Sequence, residues 1–224
     1  LAVSQMLGVG TTTLVSHAVR RRDPERAMLV FNQAQLLSLL VAALFVAAAT
    51  AAREFLTAGL SADSETASLA SDYLRWFIPA LGLQFGVVTM GAALRGTGNF
   101  TPGMIVQSAT VVLNMILAPI LIFGWGTQRP LDVTGAAIAT FVAVVVSTAW
   151  MLVYFIPREA YLRFLRREWK PRVELWTALL KVGLPAGAEF ALMAVYLFVV
   201  YSISRPFGAA AQAGFGIGMR VIQA

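Results

Sequence analysis

Hydrophobic positions in this chain come in long unbroken runs, with polar residues gathered between them. Five runs extend over about Ala34–Ala52, Tyr73–Leu94, Pro102–Phe123, Val133–Ile156 and Trp176–Ser204. A helix that crosses a membrane needs roughly 20 mostly apolar residues, and each of these qualifies. Two partial runs, Leu1–Ala18 and Ala209–Ala224, flank them. None alternates with a period of two, and all exceed the roughly 10-residue strand of a membrane barrel. The pattern predicts an all-α fold, a polytopic bundle of transmembrane helices.

The polar intervals carry helix-start signals. In Asp23-Pro24-Glu25, Asp23 can cap the free amides while Pro24 takes the first helical position. Thr101-Pro102 repeats the device after a Gly96-Thr97-Gly98-Asn99 turn. Asp132 or Thr134 is expected to cap the helix that follows Gly124-Trp125-Gly126.

Basic residues alternate from one interval to the next. One set holds Arg20, Arg21, Arg22, Arg26, then Arg95, then Arg158, Arg163, Arg166, Arg167, Lys170, Arg172 and Lys181. The other intervals hold only Arg53, Arg129 and Arg205. Twelve against three places the first set in the cytoplasm, and Leu1–Ala18 then runs from outside to inside. Within Arg158–Arg172, Tyr161, Leu165 and Trp169 recur at helical spacing among basic residues. That predicts a short amphipathic helix on the anionic cytoplasmic leaflet, the alternative being a solvated basic linker. The segment divides the chain into residues 1–157, part of a first bundle, a linker over 158–174, and the start of a second bundle over 175–224.

Composition narrows the function. Apolar residues make up 58% and charged residues 12%. A soluble domain holds about 45–50% and about 25%. The net charge of +6 sits in clusters between apolar runs, so the expected partner is the lipid surface and not nucleic acid. Cysteine is absent, which removes disulfides and thiolate chemistry from consideration. The only histidine, His17, has no carboxylate near it in sequence, so neither a metal site nor a catalytic triad can be assembled around it. Neither enzymatic activity nor a cofactor is expected.

The interiors of the runs carry few polar residues, and these are the candidate sites because such groups are costly in lipid. Asn114 lies about 18 Å past Pro102, near the midplane, and Gln84 reaches a similar depth from the other side. Gln107 is shallower on the Asn114 helix. Interhelical hydrogen bonding is the alternative role for all three. Pro79, Pro119 and Pro185 fall inside runs and should kink them. Glu189 lies about 10 Å in from the inner face and Arg220 about 17 Å, close enough for two long side chains to meet. Glu189 is the candidate coupling carboxylate, with a structural ion pair to Arg220 as the alternative. Asp72 and Arg75 sit near an outer helix end and can reach headgroups.

The ordered set of motifs resembles the multidrug and toxic compound extrusion (MATE) family over essentially the whole chain. Gly10-Thr11-Thr12-Thr13-Leu14-Val15 with its basic turn is similar to that family's junction of helices two and three. Leu94-Arg95-Gly96-Thr97-Gly98-Asn99-Phe100-Thr101-Pro102 resembles its turn between helices four and five. Asn114 through Ala118-Pro119 to Gly124 resembles helix five, and Val133–Thr140 the start of helix six. Val182-Gly183-Leu184-Pro185 and Phe207-Gly208 through Gly218 resemble helices seven and eight. The resemblance implies twelve helices in two bundles, of which this chain is an internal fragment from the second half of helix two to the first half of helix eight. It implies export of small cationic or amphipathic compounds by antiport against sodium ions or protons, with alternating access. The expected location is the bacterial inner membrane, and the expected state a monomer. Two positions depart from the family. An Asp common before the helix-five proline is Ala118, and a Glu found in helix seven of other members is Met193. A lipid-linked sugar flippase of the same superfamily and a non-transporting structural subunit remain as alternatives.

Overall fold

The computed structural model describes residues 2–60, 64–125, 130–156, 162–204, 214–215 and 218–219. Six long helices make up almost all of them: α1 (Ala2–Arg20), α2 (Pro24–Leu60), α3 (Ser64–Gly96), α4 (Thr101–Phe123), α5 (Asp132–Tyr154) and α6 (Val173–Ser204). There is no strand among the described residues. Five stretches are long and apolar enough to cross a membrane: Pro24–Glu54, Ser68–Gly96, Thr101–Phe123, Asp132–Tyr154 and Val173–Leu197. The all-α, multi-pass architecture expected from the hydrophobic runs is the one observed. The breaks at Arg20–Asp23 and Arg95–Thr101 fall where the polar intervals predict them. Those at Gly59–Ser64, Gly124–Asp132 and Arg158–Arg172 lie partly outside the described residues, and that at Arg205–Gly208 wholly.

The helices begin earlier than the apolar runs. α2 starts at Pro24, far ahead of Ala34, because Asp23 caps it: the Arg26 amide donates to Asp23 Oδ1 at 2.9 Å. The other two expected caps are not made. α4 starts at Thr101 itself, with Phe100 in the cap position and no side-chain bond. α5 has Leu131 in that position, again without a side-chain bond. Its free end is instead drawn in by the Gly135 amide, which bonds the Leu131 carbonyl at 3.0 Å, while the Leu131 amide bonds the Leu121 carbonyl of α4 at 3.1 Å.

Two tight turns close helix ends at the basic face. After α3, the Asn99 amide donates to the Leu94 carbonyl and the Gly98 amide to the Arg95 carbonyl. Gly98 takes the left-handed φ of 86° that this motif requires. Gly98→Ala would place a Cβ in that conformation, and we expect a loss of about 1 kcal/mol, read as a lower midpoint in thermal unfolding of the detergent-solubilised protein. The same pair of bonds ends α1, where Asp23 reaches Ala18 and Arg22 reaches Val19, but there the left-handed residue is Arg22 at φ 56°.

α1 sits between α2, α3 and α6 and organises the bundle. Its contacts are built on small residues. Gly8 faces Val88 and Ala92 of α3, and Gly96 faces Val15 and the Thr12 carbonyl. The Thr12 hydroxyl donates to the Ala92 carbonyl at 3.0 Å. On the other side, a Cβ at Gly10 would overlap the Leu179 carbonyl of α6, and one at Gly183 the Met6 carbonyl. Backbones can approach this closely only where no side chain intervenes. α4 and α5 pack likewise, with Gly135 against the Leu121 backbone. The buried core collects at the basic end, around Leu7, Val15, Phe31, Met90, Leu94, Phe155, Leu162 and Leu179.

Pro79, Pro119 and Pro185 lie inside α3, α4 and α6, and each helix continues through its proline. The linker differs from expectation. Among residues 162–172 the only helical residues are Arg166–Glu168, a single tight turn. Leu162 is 2% exposed, inside the core, and Phe164 packs on Phe31 with ring centroids 5.1 Å apart. The chain here lies down onto the bundle because α2 offers it aromatic and amide partners, which the spacing of Tyr161, Leu165 and Trp169 does not reveal. Tyr161 itself lies outside the described residues.

Candidate functional site

A cleft of about 440 Å³ opens between α1, α3 and α4. Its walls are mostly apolar, including Phe45, Leu81, Phe85, Val88, Met104 and Met151. Polar groups enter from three helices: Ser4 and Gln5 from α1, Gln84 and Arg95 from α3, and Gln107 and Ser108 from α4. Gln84 is the deep member, about 18 Å along α3 from Gly96. Arg95 and Phe100 mark the mouth of the cleft, beside the α3–α4 turn. A mainly apolar cleft of this size with a few convergent polar groups is the usual form of a small-molecule site.

Asn114 lies further along α4, on the helix's contact with α5. Its Nδ2 donates to Thr140 Oγ1 at 3.0 Å, and the Thr140 hydroxyl donates in turn to the Ala136 carbonyl at 3.0 Å. Asn114 as a whole is half-buried beside the α4–α5 contact. Its carbonyl oxygen and second N–H stay available as recognition groups. Ala118, one turn further, supplies no carboxylate.

Glu189 projects from an exposed face of α6. Gly183 and Gly187 face Met6 of α1, and Glu189 lies about 200° around the helix from Gly187. Its side chain therefore points away from the first five helices. Arg220, its expected partner, lies outside the described residues, as does any pairing between them. The structure thus brings Gln84 and Gln107 to one cleft, holds Asn114 on Thr140, and keeps Glu189 apart on α6.

The sequence reading missed several polar residues of α2. Asn32, Gln33 and Gln35 are all buried, and Gln35 lies near Gly86 with its Nε2 unpaired. Asn32 and Gln33 fall just ahead of the run read as a span from Ala34, while Gln35 is the second residue of that run. Their signal was three amides within four residues at the head of an apolar helix. No group of three or more metal-ligating side chains occurs among the described residues.

Membrane-length helices packed through glycines, with polar side chains concentrated in one cleft and on a few helix faces, define a multi-pass α-helical membrane protein. The MatE family profile matches residues 1–120, more than half of the chain, and the chain belongs to that family. It is 30% identical over 226 residues to the multidrug export protein MepA of Staphylococcus haemolyticus, a match covering 100% of this chain and 48% of MepA. The MepA of Staphylococcus aureus strain MRSA252 is 26% identical over 223 residues. Among solved structures, a MOP superfamily transporter from Pyrococcus furiosus, described by the reverse polarity of its binding pocket, superposes with a TM-score of 0.87 at 27% identity. The match covers 99% of this chain and 49% of that protein. An inward-facing MATE multidrug resistance transporter superposes with a TM-score of 0.82, covering 91% and 46%. The chain spans about half the length of the curated relatives it matches.

Proposed function

We propose that this chain is part of a secondary multidrug exporter that exchanges a cation, sodium or proton, for small cationic or amphipathic compounds by alternating access. The observation that carries the reading is the α1–α3–α4 cleft, apolar along its walls, with Gln84 at its depth and Gln5 and Gln107 also on its lining. It suits amphipathic ligands of varied shape: the apolar walls supply affinity without direction, and the amides orient whatever polar group arrives. Asn114, held by Thr140, forms the deeper polar station, and Glu189 carries the coupling ion from the other bundle. Residues 1–157 belong to the first bundle and residues 175–224 begin the second.

Arg95 at the mouth of the cleft favours a second reading, a flippase for an anionic lipid-linked sugar, because a fixed guanidinium suits a phosphate better than a cationic drug. Cells lacking their own exporters and expressing the complete protein separate the two. Efflux of ethidium from energised cells supports the exporter, and Asn114→Leu should slow it roughly three- to thirtyfold, the equivalent of one lost polar contact of about 0.6–2 kcal/mol. Ethidium retention together with movement of a fluorescent lipid-linked sugar across vesicles would select the flippase.

A further inference from the structure

Asn32 and Gln33 of α2 have no solvent exposure, yet neither touches the cleft or Asn114. Both face the linker. Asn32 Nδ2 donates to the carbonyls of Met28 and Arg163, each at 2.9 Å. Its Oδ1 accepts from the Leu165 amide at 2.9 Å and from the Trp169 indole at 3.1 Å. Gln33 Nε2 donates to the carbonyls of Glu168 and Lys170, and its Oε1 accepts from the Arg172 amide at 2.9 Å. Two adjacent side chains thus bond the backbone of five linker residues.

The arrangement answers a physical need. Residues 162–172 have almost no regular structure, so their backbone groups lack the internal partners that a helix would give. The amides are the right groups for the task, each offering donors and an acceptor to an irregular segment. Neighbouring Phe31 adds a stacked contact with Phe155 at 4.8 Å and a tilted one with Phe164. The ion pairs of Glu168 with Arg167 and Arg172 are partly solvated and contribute little to the grip.

We propose that Asn32 and Gln33 form a clamp that keeps residues 162–172 attached to the first bundle throughout the transport cycle. They are positioning residues. The link between the bundles cannot peel from α2, and α6 leaves the clamp at Val173 in a register set by the first bundle. The proposal rests on the transport reading for its role in the cycle, and on the hydrogen bonds alone for its existence.

The test uses the complete protein, cysteine-free apart from Met28→Cys and Arg163→Cys. These positions are close, since both carbonyls bond one Asn32 nitrogen. Joining them with a short bis-thiol reagent should leave drug transport within about twofold of the unjoined protein. Asn32→Leu should lower the maximal rate at least about fivefold with the half-saturating drug concentration unchanged, and joining should restore it. Gln33→Leu gives the same test from the other end should Asn32→Leu fail to insert. A bridge that stops transport, with recovery on reduction, would mean that the linker must leave α2 and would overturn the proposal. Hydrogen exchange supplies a readout independent of transport. In the complete protein in lipid nanodiscs the amides of Leu165 and Arg172 should exchange slowly, and Leu165 at least about tenfold faster in Asn32→Leu. Rapid exchange of both amides in the unaltered protein would show that no clamp exists. Absence of any transport by the unaltered protein, with those amides protected, would count against the exporter reading and leave the clamp standing.

Discussion

Glu189→Gln is expected to insert and fold normally, to bind drug, and to lose gradient-driven efflux almost completely. The expectation follows from where α6 places the residue. Glu189 sits within the apolar length of a spanning helix, on the face turned away from α1. An ionisable group there is costly unless it does something, and the usual tasks are binding a cation, carrying a proton or pairing with another charge. Gln keeps the size and one oxygen of Glu while removing the charge and the titration. A coupling carboxylate therefore fails on substitution even when the fold is unharmed. An ion pair with Arg220 makes the opposite forecast, because removing one partner strands the other charge and lowers the yield of folded protein. The measurement is drug efflux from energised cells beside the amount of monodisperse protein recovered. Full drug resistance in cells carrying Glu189→Gln would remove the residue from the mechanism.

The second large effect is structural. Gly183→Leu should prevent α6 from docking on α1. A Cβ alone at this position would overlap the Met6 carbonyl, and that atom belongs to helix backbone, which cannot turn aside as a side chain can. The helices would have to separate by roughly an ångström or more along their shared seam. Overpacking in a well-packed interior costs typically about 1–3 kcal/mol, and backbone obstruction at both Gly183 and Gly10 makes this seam less forgiving than most. We expect the substituted protein to insert but to run as aggregate on size exclusion in mild detergent. The matched control is Leu184→Ala, at the next position and on the exposed face of the same turn, which should leave elution unchanged. Normal elution of Gly183→Leu would show that the seam is looser than the structure has it.

Much of the fold was legible in the sequence because membrane insertion is read from residue type alone. The runs at Pro102–Phe123 and Val133–Ile156 match α4 and α5 to within a residue or two, since nearly every position in them is apolar and their ends carry turns. The basic intervals fall at one end of the bundle, where the structure joins the turns through contacts such as Asn99 Nδ2 with the Tyr154 hydroxyl at 3.1 Å. What failed was local and depended on partners distant in sequence. Thr101 and Asp132 look like caps, but neither makes a cap bond, and the start of α5 is instead tied to α4 by one backbone hydrogen bond, from the Leu131 amide to the Leu121 carbonyl. The linker reads as an amphipathic helix by spacing, yet Asn32 and Gln33, roughly 130 residues earlier, bind its backbone in an irregular path with a single tight turn. Of the candidate site, Asn114 and Gln84 could be picked out because an amide in a long apolar run is conspicuous. Gln5 and Arg95 could not, since their place on the cleft exists only once α1, α3 and α4 have packed.

Export driven by an ion gradient is tested most directly in a sealed bilayer. The purified complete protein is reconstituted into proteoliposomes, sodium and proton gradients are imposed separately, and a fluorescent cationic drug is followed across the membrane. We expect uphill drug movement under one of the two gradients, collapse of that movement when the same gradient is dissipated by an ionophore, and its loss in Glu189→Gln. Drug movement that is indifferent to both gradients, or none at all from protein that is folded and correctly inserted, would be incompatible with an ion-driven exporter.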